Sequence, residues 1–212
     1  FFYLGLSRAS AMSSSIIEAS ANFLAILFAA LAFHTEKLNT AKVLGCVLGF
    51  AGVALVNLSG ADGTFGFTLG GEGFILTSTV AGALSTCLIG IFSREHDSVL
   101  LAGWQFLVGG LVLTAIGLLM GGALSPTKIV PAIALIIYMA LISAVAYSLW
   151  SRLLAVNPVS RVSVFGFMNP VFGVALSALL LGEGAGTSPV TVIVALLLVC
   201  GGIIIVNKPQ KA

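Results

Sequence analysis

Charged side chains are scarce in this sequence: nine Lys and Arg and seven Asp and Glu among 212 residues, or 8% of the chain. Soluble domains carry about 25%, so a fold dispersed in water by a charged surface is excluded. The basic residues form no cluster that could follow a phosphate backbone, which removes nucleic acid as a partner. Only three cysteines occur, Cys46, Cys87 and Cys200, far apart, each inside an apolar run and without CxxC spacing. That pattern fits small core residues and no disulfide framework or thiolate metal site. There are two histidines, His34 and His96, and no HExxH, Asp-rich or GxSG motif. GGEG and GEGAG lack the strand-turn-helix setting of a phosphate cradle. No cofactor, metal or catalytic constellation is therefore expected.

What is abundant is apolar surface, with 59% hydrophobic residues and a mean hydropathy of +1.18. A helix crosses about 30 Å of hydrocarbon with about 20 apolar residues. Seven segments suit that role: 11–33, 43–58, 73–92, 99–120, 129–150, 162–181 and 189–206. The opening FFYLGL reads as the stub of an eighth. Barrel-type alternation is absent, so the expected fold class is an all-α, multi-pass membrane bundle. The short connections hold nearly all the charge. Alternate connections and the C-terminus carry Lys37, Lys42, Arg94, Arg152, Arg161, Lys208 and Lys211, against Arg8 and Lys128 on the other side. The positive-inside rule then places the first set and the C-terminus in the cytoplasm of a cell (inner) membrane protein.

The chain also resembles itself. A shift of 147 residues lays Asn22 on Asn169 and Glu36 on Glu183, and AGVALVN (51–57) matches GGIIIVN (201–207) after a three-residue gap. The repeating unit is five helices, an odd number, so successive copies enter the membrane from opposite sides. Residues 1–58 read as the C-terminal part of a first repeat, 59–71 as an external linker, 72–207 as a complete second repeat and 208–212 as a cytoplasmic tail. The first copy then lacks its first two helices and most of a third. Inverted repeats of this kind characterise secondary transporters, which expose one central site alternately through their two halves.

FFYLGLSRASAMSSSIIEASANFLAILFAALAFHTEKL followed by GCVLGFAGVALVN, and SRLLAVNPVSRVSVFGFMNPVFGVALSALLLGEGAG followed by GGIIIVN, resemble the EamA family of the drug/metabolite transporter superfamily. Glu183 in LGEG fits the family's Gly-Glu pair and Asn169-Pro170 its mid-helix proline. The first copy departs, with His34-Thr35 before Glu36 and Phe23 where Pro is expected. The resemblance implies export of small metabolites or amphipathic compounds without a cofactor.

Residues for that task follow from helical geometry. Glu18 is the one charged group deep within a span, where a charge costs about 2.5–3.5 kcal/mol on insertion scales. At 100° per residue it shares a small, polar face with Ala11, Ser14, Ser15, Ala21, Asn22, Ala25, Ala29 and Ala32, opposite Ile16, Leu24, Leu27 and Leu31. Such a face looks into a bundle. Glu18 is either a glue group between helices or a proton acceptor and contact for a cationic substrate. Further polar positions for a pathway are Gln105, Ser143 and Tyr147, with Asn169 and Pro170, because Pro170 cannot donate to the Gly166 carbonyl. G45-x-x-x-G49 and G117-x-x-x-G121 read as packing motifs. The expected function is a secondary transporter; an intramembrane enzyme or a non-transporting membrane assembly protein are the alternatives. Expected partners are the lipid bilayer and a small-molecule substrate, with a homodimer as one way to cover an incomplete bundle.

Overall fold

Within a bilayer each backbone N–H and C=O must find its partner inside the chain, which long apolar runs achieve only as helices. The computed structural model describes residues 1–9, 11–59, 68–122, 129–172, 176 and 189–208, and these contain helices and turns but no strand. The helices are α1 (Phe2–Leu6), α2 (Ala11–Leu27), α3 (Thr40–Ser59), α4 (Glu72–Phe92), α5 (Ser98–Leu119), α6 (Ile129–Val156), α7 (Val159–Ser163) and α8 (Pro189–Asn207). Among the described residues, five segments are long and apolar enough to span a membrane: Ser14–Ala32, Glu72–Phe92, Ser98–Leu119, Ile129–Val156 and Val190–Asn207. α3 adds a shorter apolar run, Thr40–Leu55. The span expected at 162–181 is described only to residue 172 and at 176. Glu183, Lys128, Lys211 and most of the expected linker lie outside the described residues.

Two helices depart from their expected form. α6 runs six residues past Trp150 to Val156. Its 28 residues reach about 42 Å at 1.5 Å each, more than hydrocarbon requires. Arg152 sits on this extension, where a long basic side chain can reach the interface, and Pro158 starts the next helix. α2 ends in a π-turn, Phe28–Ala32, in which the Phe33 amide donates to the Phe28 carbonyl at 2.9 Å. His34 stops it in the left-handed region, at φ 51°.

The described chain divides into two units. The first comprises residues 1–87 with 158–212 and the second residues 88–157. In the second, α5 and α6 pack together, with Phe106 and Tyr147 edge to face at 4.9 Å. Their large apolar side chains, Leu111, Leu113 and Val130 among them, point outward, as lipid rather than water would favour.

The first unit holds the core. α3 and α8 make its most extensive seam, because glycines let their backbones meet. A Cβ at Gly45 would lie 2.7 Å from the Gly202 carbonyl, and one at Gly202 2.5 Å from the Gly45 carbonyl. Cys46, Val53, Ala195, Val199, Ile203 and Val206 fill in around that contact. The G45-x-x-x-G49 motif is thus a packing motif, with Gly49 facing the Phe167 ring. For the second motif no described atom lies within 4 Å of a Cβ at Gly117, and Gly121 closes α5 at φ +78°.

Candidate functional site

The site is built on α2 and on the helical stretch that follows Pro158. α2 buries Ser14, Ala25 and Ala29, as a small-residue face should, but the buried stripe also extends round to Ala19 and Ile26. Opposite α2 stands α4, which buries Ile75, Thr79, Ala83 and Cys87 at four-residue intervals. Cys87 donates to the Ala25 carbonyl at 3.2 Å and Thr79 approaches Glu18 Oε2 at 3.4 Å. The opposite side of α4 is looser: no described atom lies within 4 Å of a Cβ at Gly82.

After Pro158, α7 tightens into a 3-10 turn, Val164–Phe167, and residues 168–172 return to α geometry. Pro170 supplies the reason, since it cannot donate the amide that an α-helix would place on Gly166. The Gly166 carbonyl is not left bare: the Met168 amide reaches it together with the Phe165 carbonyl. Phe167, fully buried, seats against Gly49 of α3 and anchors the stretch.

Between these elements lies a cavity of about 360 Å³, lined from α2 by Ser14, Ser15, Glu18, Ala19, Ala21 and Asn22. Gly166, Asn169 and Pro170 close one side, and Phe2 and Leu6 of α1 another. Five of the eight expected site residues, Ser14, Glu18, Asn22, Asn169 and Pro170, therefore share one cavity. Gln105, Ser143 and Tyr147 belong to the other unit and do not line it. Phe2 and Leu6 were not expected, and Gly166 only through its carbonyl beside Pro170. In the structure Gly166 also abuts Asn22, whose amide a Cβ there would meet.

Among the described residues Glu18 is the only ionisable side chain lining the cavity, and it is exposed. The Thr79 hydroxyl has one proton and spends it chiefly on the Ile75 carbonyl at 2.8 Å, against 3.4 Å to Glu18. A bond of that length is weak, so the carboxylate keeps acceptor capacity for something within the cavity. Asn22 Nδ2 reaches the Ala19 carbonyl at 3.3 Å, which turns its amide along the wall. Together these groups offer hydrogen-bond acceptors and one carboxylate beside an aromatic and aliphatic lining. That combination suits a small amphipathic molecule or a proton. Among the described residues no group of His, Cys, Asp and Glu could hold a metal ion.

Among the described residues the chain is all-helical, with five helices apolar enough to cross a bilayer, which makes it a helical membrane protein. Residues 69–208 match the EamA-like transporter family, and the chain belongs to that family. It is similar to a WAT1-related chloroplastic protein of Arabidopsis thaliana, 27% identical over 86% of this chain and 46% of that protein. An uncharacterized transporter of Synechocystis is 28% identical over 86% of this chain and 60% of its own length. The uncharacterized transporter YvbV of Bacillus subtilis is 26% identical over 84% and 57%. The chain thus spans about half the length of the curated relatives it matches. A solved crystal structure superposes with a TM-score of 0.75 at 19% identity, covering 98% of this chain and 72% of that one, and shares the fold.

Proposed function

We propose that the chain belongs to a secondary transporter that exports small metabolites or amphipathic compounds, alternating access to one site between two inverted repeats. The observation that carries this reading is the cavity: a lone carboxylate, Glu18, on a membrane helix, beside Asn22, Asn169, Pro170 and Ser14. An ionisable group is costly in such a place and marks a pathway for ions or substrate. Phe2 and Leu6 would take the apolar part of a substrate and the carboxylate its cationic part or a coupled proton. Gln105, Ser143 and Tyr147 stand as further pathway positions to be tested separately.

The same reading places the C-terminus and Arg94 on the cytoplasmic side and Asp62 outside. Cysteine labelling in intact cells from outside should modify position 62 and spare 94; the reverse would remove the inverted-repeat argument.

Glu18 is tested in the natural gene product, reconstituted in proteoliposomes. Glu18→Gln keeps shape and hydrogen bonding but abolishes titration, so uptake should fall sharply and lose its pH dependence. Glu18→Asp should keep part of the activity. If Glu18 were only glue, its loss would be mild, since interhelical hydrogen bonds in membranes average about 0.6 kcal/mol. Wild-type rates with an unchanged pH profile in Glu18→Gln would end the proton-relay reading.

A further inference from the structure

A second carboxylate, Glu36, is more densely bonded than Glu18 and lies in the connection between the π-turn and α3. Its Oε1 accepts the Ser160 backbone amide at 2.9 Å, and its Oε2 accepts the Ser160 hydroxyl. Lys42 Nζ pairs with the same Oε2 at 2.6 Å. The Glu36 side chain is only 6% exposed and that of Lys42 15%. Glu36 and Ser160 are 124 residues apart in sequence. α7 has no side-chain cap of its own, so Glu36 supplies from a distant segment the acceptor its first turn lacks.

What lies beneath this cluster gives it a consequence. Following α7 from Ser160 toward Gly166, and α2 backward from its π-turn toward Asn22, both helices lead from Glu36 to the cavity. Along that path Ile26 of α2 and Val164 of the stretch after α7, 2% and 0% exposed, belong to one buried apolar layer, which continues through Phe167 to α3. Ser163, 1% exposed, directly precedes Val164, and its hydroxyl has no hydrogen-bond partner among the described residues. A buried hydroxyl without a partner favours any state that wets it. The layer is therefore a plug that loses less on opening than an all-apolar one, with a polar clasp across its outer rim.

We propose that Glu36, Lys42 and Ser160 form a latch that shuts the bundle at this end and must part whenever the cavity opens toward it. The proposal rests on the transporter reading for its role in a cycle, but the latch itself stands on Glu36 alone. α2 and the α7 stretch cannot separate while one carboxylate bonds α7's amide and hydroxyl and is held on its own side by Lys42.

The test is made in the natural gene product, on a background free of other cysteines. Ser163→Cys places a thiol in the plug, and a membrane-impermeant thiol reagent is applied from each face in turn. With the latch intact the thiol should react slowly. Adding Glu36→Gln should speed reaction from the Glu36 face about tenfold, equivalent to about 1.4 kcal/mol of closed-state stabilisation. Lys42→Met should raise it less, because both Ser160 bonds remain. If Glu36→Gln lowers the yield of folded protein, Lys42→Met carries the measurement alone. A short cleavable thiol cross-linker between Glu36→Cys and Ser160→Cys, in a protein that retains Ser163, should stop transport and release it on cleavage. Labelling at the wild-type rate in the folded variants, or full transport by the cross-linked protein, would overturn the latch. A labelling rise in a protein that transports nothing would instead remove the transporter reading and leave the latch in place.

Discussion

Alanine at Gly202 puts a methyl group where two backbones already touch. Its Cβ would lie 2.5 Å from the Gly45 carbonyl oxygen and 3.2 Å from the Gly49 nitrogen, whereas ordinary contact begins at 3.4 Å. Both neighbours are backbone, so no side chain can swing away, and α3 and α8 must part by about 0.9 Å. A gap of 0.5–1 Å forfeits roughly a quarter to a half of each dispersion contact across it. The seam that opens is the one holding Cys46, Val53, Ala195, Val199 and Ile203. Overpacking of this kind costs about 1–3 kcal/mol. At about 2–4 °C per kcal/mol for a chain of this size, Gly202→Ala should lower the melting temperature by roughly 2–12 °C. The neighbouring Gly201 supplies the control, since a Cβ there meets nothing within 4 Å. Gly201→Ala gains the same helix propensity, about 1 kcal/mol in water-soluble hosts, without the clash. A thiol-reactive dye is a suited reporter, because Cys46 and Cys87 are each 1% exposed and Cys46 lies in the seam itself. If the two variants melt within about 1 °C of each other, steric closeness of α3 and α8 is not what the glycines provide.

Two further outcomes follow from the site and the latch. Gly166→Ala would drive a methyl group into the Asn22 amide, so substrate affinity should fall by about tenfold, the effect of about 1.4 kcal/mol. An affinity equal to wild type would place Asn22 outside the binding surface. For Glu36, burial disfavours the charged form, but the Lys42 and Ser160 hydrogen bonds and the Lys42 charge outweigh it and hold the carboxyl below its ordinary range. A depressed folded-state value means the stabilisation is present above the ordinary carboxylate pKa of about 4.3 and is lost as pH falls below it. Thermal stability of wild type should therefore drop on acidification through that window. Glu36→Gln should show a shallower acid limb, and an identical limb would refute the assignment.

The legibility of this fold in its sequence varied with the range of the interaction. Apolar run length located α2, α4, α5 and α8, because hydrocarbon thickness imposes one length on all of them. It misjudged the end of α6, since a helix persists into the interface when Arg152 can reach water and only Pro158 interrupts the chain. The π-turn was invisible, because Phe28–Ala32 is as apolar as the turns before it and differs only in hydrogen bonding. Projection at 100° per residue placed Ser14, Glu18 and Asn22 together, as a local periodicity can. It could not foresee that α1 would bring Phe2 and Leu6 to the same cavity. Nor could it couple Glu36 to Ser160, as no local pattern joins residues so far apart in sequence.

The π-turn has a geometric consequence of its own. A single π-turn is an α-helix with one residue inserted, which advances everything beyond it by about 100° and 1.5 Å. Glu36 lies three residues after Phe33, so the bearing of its carboxylate toward Ser160 depends on that surplus residue. Deleting one alanine from Phe28–Ala32 would leave an unbroken, well-bonded helix of the same composition, yet aim the carboxylate about a quarter-turn away from the α7 amide. In this chain a difference of one residue, with no change of hydrophobicity or charge, can separate a clasped bundle end from an unclasped one. Shortening this turn by one residue should therefore weaken the Glu36–Ser160 bonds while leaving Ser14, Glu18 and Asn22, which precede it on α2, where they are.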